Sequence, residues 1–167
     1  MAKEGGPIKS LDELRPALQA ACVRHDVVLA YLYGSQARGE AGPLSDVDVA
    51  VLFRAELRGN ERFRQLLAVM GEFMDIFERE DVFVADLDDA TPLLRFEVYR
   101  EGRLLYCQND AIRIKFMTEA LRDYEDTRPL RRIQHDYLLQ SIVDGMFGRK
   151  RAAVAERKEP YGQNGSG

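Results

Sequence analysis

The chain has 167 residues, the size of one ordinary domain or of one domain with an appendage. Its hydrophobic fraction of 46% is enough for a buried core, and its net charge of −4 argues against direct binding to nucleic acid, which needs a basic surface. Neither a secretion signal nor an apolar run near the ~18 residues of a membrane span is recognisable. We therefore expect a cytoplasmic protein without membrane association.

The first predicted elements are a helix and a buried strand. Ser10 and Glu13 have the spacing of a capping box, which predicts a helix start, and Pro16 predicts that this helix kinks there or begins later. Val27 to Tyr33 is a continuous apolar run that ends at Gly34, which predicts a buried strand.

The segment that follows is the most informative part of the chain. Gly34-Ser35 ends the first apolar run, and ten residues later Asp46 and Asp48 begin a second one. Residues two apart in a strand point to the same face, so these two carboxylates can share a hard divalent cation. A Gly-Ser pair on a tight turn offers small side chains and backbone N–H groups to a phosphate. The segment therefore predicts a site for a metal ion and a nucleotide.

The remaining elements follow from hydrophobic periodicity and from Gly and Pro breaks. In chain order, the sequence predicts a helical turn at Ser35 to Glu40, a strand at Val47 to Phe53, a helix at Asn60 to Phe77, a strand at Asp81 to Leu87, a helix at Leu93 to Arg100, a strand at Arg103 to Cys107, and two helices that begin at Asn109 and at Arg128-Pro129. The inward face predicted for the Asn60 to Phe77 helix consists of Phe63, Leu66, Leu67, Met70, Phe73 and Met74.

Three blocks of the sequence are similar to the DNA polymerase β-type nucleotidyltransferase superfamily, and among its members to the minimal nucleotidyltransferases that are paired with HEPN-domain toxins. The first block matches their pattern at Gly34, Ser35, Ala37, Arg38, Gly39, Ser45, Asp46, Asp48 and Val51. Thr91 to Tyr106 resembles the segment after their third strand, and Ala120 to Leu130 resembles their junction between two helices. The resemblance covers roughly residues 8 to 145.

The resemblance implies an α/β fold with a small mixed β-sheet, helices packed mainly on one face, and a C-terminal helical pair. It implies a nucleotidyltransferase core at residues 8–107 and a C-terminal helical extension at residues 108–147. We expect a disordered tail at residues 148–167, because that segment is polar and ends in a Gly-rich stretch.

The resemblance also assigns roles to the residues of the first block. It implies that Asp46 and Asp48 hold two Mg²⁺ ions and that Gly34 and Ser35 hold the triphosphate of ATP. Arg38 is a candidate phosphate clamp, and the alternative is a surface residue that bridges Glu40.

The third carboxylate is where this sequence departs from the family. Members usually carry an acid on the third strand that deprotonates the attacking hydroxyl, and the corresponding position here is Phe83. Asp81 lies one pleat earlier on the same face as Phe83, whereas Asp86 lies on the opposite face and needs a bulge to turn inward. Asp81 and Asp86 are therefore the weaker catalytic candidates.

For function, the resemblance implies an antitoxin that transfers AMP from ATP to a hydroxyl group, most plausibly of a tyrosine, on a cognate HEPN ribonuclease toxin and so neutralises it. The first alternative, which Phe83 favours, is a catalytically weakened antitoxin that binds nucleotide and neutralises its toxin by contact. The second alternative is a small-molecule nucleotidyltransferase, for which little chain is left to bind the acceptor.

Overall fold

A computed structural model describes residue 8 and residues 10–143, and these residues contain a four-stranded mixed sheet with the strand order β3-β2-β1-β4. The strands are β1 (Val27–Tyr33), β2 (Val47–Phe53), β3 (Val82–Asp86) and β4 (Arg103–Cys107). The helices are α1 (Leu11–Arg24), α2 (Gly34–Arg38), α3 (Gly59–Phe77), α4 (Pro92–Glu101), α5 (Asp110–Asp126) and α6 (Arg128–Val143). The central pair β1–β2 and the pair β1–β4 are antiparallel, and β2–β3 is parallel. The predicted α/β class and mixed sheet are confirmed.

The larger part of the core lies on one face of the sheet, between the strands and helices α1 and α3. Strand β2 alternates as a strand should, with Val47, Val49 and Val51 fully buried on this face. The opposite face carries Asp48 and Ala50 of β2 and packs against α4 and α5. The two carboxylates of the predicted site therefore lie at the α4 side of the sheet.

Helix α1 begins at Leu11 and continues through Pro16, so the predicted later start is wrong. Ser10 is the N-cap residue as predicted, but its side chain makes no capping hydrogen bond. Its backbone carbonyl accepts hydrogen bonds from the N–H groups of Glu13 and Leu14 instead. Backbone bonds alone close the first turn.

The predicted inward face of α3 agrees in part with the observed one, since Phe73 is buried and Leu66 and Met74 pack against the core. Phe63 is 59% exposed, whereas Val69, Phe73 and Phe77 are buried. The buried stripe continues toward the N-terminus of the helix through Arg62, whose side chain forms an ion pair under the sheet. The prediction was therefore wrong for Phe63 and Leu67, which are exposed, because hydrophobic periodicity cannot show that a charged residue, Arg62, takes an inward position.

Close packing divides the chain into two units, of which the first ends at Glu125 and the second begins at Asp126. Most of α5 belongs to the first unit, because Phe116 and Ala120 are buried against the α4 face of the sheet. The predicted division into a nucleotidyltransferase core up to residue 107 and a helical extension after it stays a prediction. The predicted disordered tail, residues 148–167, lies outside the described residues. Among the described residues, none of the helices has the length and apolarity to cross a membrane.

Candidate functional site

The Gly-Ser corner lies directly against one of the two predicted metal ligands. In the antiparallel pair β1–β2, Tyr33 is opposite Asp48, so β1 ends beside the start of β2. Gly34 has a positive φ of 71°, and a Cβ added to it would lie 2.6 Å from Asp48 Oδ2. Only glycine combines this backbone conformation with such a close approach. The structure therefore brings Gly34, the residue before Ser35, against Asp48, and the binding roles of these residues stay predictions.

Asp46 and Asp48 form a pair of interacting carboxylates at the head of β2. Asp46 is exposed and Asp48 is half-buried. Partial burial, and after it the negative charge of Asp46, raises the pKa of Asp48 above its ordinary value. A bound cation would relieve both effects, and carboxylate oxygens are the ligands that Mg²⁺ prefers, completed by phosphates and waters. The pair fits a divalent ion, although the described residues contain no cluster of three or more potential protein ligands.

Arg79 supports the loop that leads into Asp46. Its side chain is buried, and the guanidinium donates hydrogen bonds to the Ser45 carbonyl at 2.7 Å and to Asp81 Oδ1 at 2.6 Å. The Asp81 carbonyl in turn accepts from the N–H of Val47 at 2.9 Å. The Asp81 carboxylate is thus committed to Arg79, and its catalytic role stays a prediction. Arg79 was missed because a lone Arg in a loop has no periodic signal.

Asp86 is not brought to the other acids. It is buried on the α3 side of β3, where Arg62 binds both of its carboxylate oxygens. Strand β3 pairs regularly with β2 and shows none of the bulge that would turn Asp86 inward. Arg62 and Asp86 therefore form a structural ion pair that joins α3 to the sheet.

Arg38 forms the surface contact that was the alternative to a phosphate clamp. Its Nε donates to Glu40 at 2.7 Å, and a second guanidinium nitrogen lies 3.4 Å from Glu101. The side chain is exposed at the end of α2, and Gly39 in the left-handed conformation terminates that helix. A clamp role requires Arg38 to exchange its carboxylate partners for a phosphate.

Phe83 occupies the place on β3 that is next to Asp48. The parallel register pairs Asp48 of β2 with Phe83 of β3, and side chains at paired positions point to the same face. Phe83 is 57% exposed, so its ring lines the surface of the site. The strand register therefore places beside Asp48 the residue that the sequence resemblance aligns with the usual third acid, and that alignment stays a prediction.

Comparisons with known proteins point to one family. The family described as "Polymerase beta, Nucleotidyltransferase" matches residues 17–111, more than half of the chain. A crystal structure of a toxin–antitoxin with AMP-PNP is similar in fold, with a TM-score of 0.62 and 21% identity over 75% of this chain and 98% of the other. A tri-AMPylated Shewanella oneidensis HEPN toxin in complex with MNT antitoxin has a TM-score of 0.59 and 19% identity over 77% and 98%. No curated protein matches the sequence.

The contact between Gly34 and Asp48 predicts the outcome of two glycine substitutions. Gly39 also has a positive φ, of 73°, but an added Cβ there meets no atom within 4 Å. We expect Gly39→Ala to lower the free energy of unfolding by about 1 kcal/mol, the backbone cost alone. Gly34→Ala should cost clearly more, because the Asp48 carboxylate must also move. Urea denaturation of both variants measures the difference, and equal losses would contradict the proposed contact.

The burial of the Arg62–Asp86 pair predicts a stability role for Asp86. Asp86→Ala leaves a buried guanidinium short of its main partner and should lower the free energy of unfolding by about 3 kcal/mol. Asp88→Ala is the matched control, since Asp88 binds the same guanidinium at 2.8 Å but is largely exposed, and it should cost less than about 1 kcal/mol. Thermal and urea denaturation check both values. A stable Asp86→Ala protein would show that the pair is not structural.

Proposed function

Because the chain belongs to the polymerase β nucleotidyltransferase family, we propose that it transfers AMP from ATP to a hydroxyl group with the help of Mg²⁺. The observation that carries this proposal is the contact between the Gly34 corner and the Asp48 carboxylate, with Asp46 beside it. That arrangement sets a polyphosphate-binding turn next to a pair of cation ligands. Fold neighbours solved with AMP-PNP and with an AMPylated partner support adenine as the base.

Each residue of the site has a task in such a transfer. Asp46 and Asp48 hold the cations, Gly34 lets the phosphates approach the backbone, and Ser35 with the neighbouring N–H groups receives the triphosphate tail. Bound Mg²⁺ neutralises phosphate charge and lowers the pKa of the attacking hydroxyl. The hydroxyl oxygen forms a bond to the α-phosphorus, the bond to the bridging oxygen breaks, and pyrophosphate leaves. Because Phe83 cannot accept the proton, that proton passes to water.

We further propose that the acceptor is a tyrosine of a HEPN-domain toxin and that its modification neutralises the toxin. Support comes from the fold neighbours, which are toxin–antitoxin complexes, one of them with a tri-AMPylated HEPN toxin. A cytoplasmic location follows from such a partner, since a ribonuclease toxin acts where the RNA is.

A second candidate function is neutralisation by contact alone. Helix α6, in the second unit, exposes several apolar side chains at helical spacing: Leu130, Ile133, Tyr137, Leu138 and Leu139. Exposed apolar surface of this extent favours a protein partner. Phe83 favours the same candidate, because an enzyme without the third acid is expected to be slower.

Transfer of label separates the two candidates. The chain is incubated with its HEPN-type partner, α-labelled ATP and Mg²⁺, and label on the partner is quantified. We expect the Asp46→Asn and Asp48→Asn variants to transfer roughly 100-fold less, since bound cations supply several kcal/mol of transition-state stabilisation. Asp12→Asn, a substitution of an exposed acid on α1, should leave transfer unchanged. Protection against the toxin that survives in the Asp46→Asn/Asp48→Asn double variant would favour contact alone.

The raised pKa of Asp48 predicts that the stability of the protein depends on pH, and this can be measured without an assay of transfer. A carboxyl whose pKa is raised by folding binds its proton more tightly in the folded state, so its ionisation lowers stability as the pH rises above its ordinary value of 3.8. Asp48→Asn removes this charge and should raise the melting temperature at neutral pH but not in acid. Added Mg²⁺ with a non-hydrolysable ATP analogue should stabilise the wild type and not this variant. Melting curves that respond identically to Mg²⁺ would contradict a cation site at Asp48.

A further inference from the structure

The exposed Phe83 lies beside Asp48, one of the proposed cation ligands. An exposed aromatic residue by itself is common on protein surfaces and indicates nothing. Phe83, however, is in register with Asp48 on the neighbouring strand, so the two side chains leave the same face of the sheet from backbones about 5 Å apart. A group that contacts the ring would therefore lie beside a phosphate bound near Asp48.

The strand order indicates whether a group in contact with Phe83 belongs to the nucleotide or to the acceptor. In phosphoryl and nucleotidyl transfer the attacking and leaving oxygens lie roughly in line on opposite sides of the phosphorus. The Gly34 corner, which receives the triphosphate tail, extends from β1, on one side of Asp48. Phe83 is on β3, on the other side, because the sheet order is β3-β2-β1. With the triphosphate tail at the Gly34 corner, as proposed above, pyrophosphate would leave toward β1 and the acceptor hydroxyl would enter over β3.

The side chain that β3 exposes next to Asp48 is apolar rather than acidic. Asp81, one pleat before Phe83, is held by the buried Arg79, and Asp86 is held by Arg62 on the far face. Both Asp81, which directly precedes β3, and Asp86, at its end, are thus ion-paired with an arginine. The ring of Phe83 is the side chain of β3 that is exposed next to Asp48.

Resting on the proposed function, we propose that Phe83 is the acceptor-binding residue of this chain: its ring packs against the side chain that carries the attacking hydroxyl. Aromatic rings attract one another in offset or edge-to-face contact, so an aromatic hydroxyl side chain of the partner protein fits this surface better than an aliphatic one. The ring orients the acceptor and takes no part in proton transfer.

Steady-state kinetics with the HEPN-type partner as acceptor test this role. Phe83→Ala should raise the KM for the partner about tenfold, the value of a lost aromatic contact, and leave the KM for ATP unchanged. Phe83→Tyr, which keeps a ring, should restore the wild-type KM. Phe63→Ala is the matched control, because Phe63 is equally exposed, at 59%, but lies on α3 away from the site.

A cross-linking experiment provides a readout that does not depend on turnover. Phe83→p-benzoylphenylalanine is irradiated in the complex with the partner and a non-hydrolysable ATP analogue, and the linked peptide is sequenced by mass spectrometry. We expect it to contain the residue that the wild type labels, and the same replacement at Phe63 to give no such peptide. Labelled partner with an unchanged KM in Phe83→Ala, or a cross-link remote from the labelled residue, would overturn this inference alone. A wild type that labels nothing overturns the proposed function together with it.

Discussion

The close approach of Gly34 to the Asp48 carboxylate is the constraint on which the site depends. The contact joins the end of β1 to the start of β2, two points that the chain separates by a helix and a loop. Antiparallel pairing brings the two strand ends to one edge, and a positive φ at Gly34 turns the backbone across the carboxylate. A side chain at this position would push Asp48 away. The geometry therefore requires both the strand register and the missing Cβ.

The same contact carries an electrostatic cost. Asp48 is half-buried and lies beside the like charge of Asp46. Both effects make the ionised form of Asp48 less stable in the folded protein. The buried Arg79 supports the loop that presents Asp46 by binding the Ser45 carbonyl, and its positive charge lies within reach of Asp46. Functional sites commonly hold ionisable groups in such unfavourable surroundings, because the ligand supplies the missing counter-charge. A cation at this place would stabilise the folded state as well as act on a substrate.

Features that depend on residues close together in the sequence could be predicted from it, and features that depend on distant partners could not. All four strands and the Gly34–Asp48 neighbourhood were predictable, because apolar runs and glycine breaks are local signals. Arg62 and Arg79 were not, since a charged residue is read as exposed unless its buried partner is known. Arg62 finds that partner 24 residues further along the chain and takes an inward position on α3, while the predicted Phe63 is exposed. Pairing across the fold, rather than propensity, decided these positions.

The absence of an acid at Phe83 bears on which acceptors this site can use. A positioned general base contributes roughly 100-fold to 10,000-fold to proton-transfer-limited steps, so a site without one favours hydroxyls that lose their proton readily. A phenol has an ordinary pKa of about 10, whereas the pKa of water is about 15.7. A nearby cation therefore has to lower the pKa of a phenol much less before the phenol can lose its proton. Under the proposal made above, Phe83, which stands in place of the base and is exposed, would also offer an aromatic contact to such a phenol. A single residue would then set both the chemical demand on the acceptor and the surface that selects it.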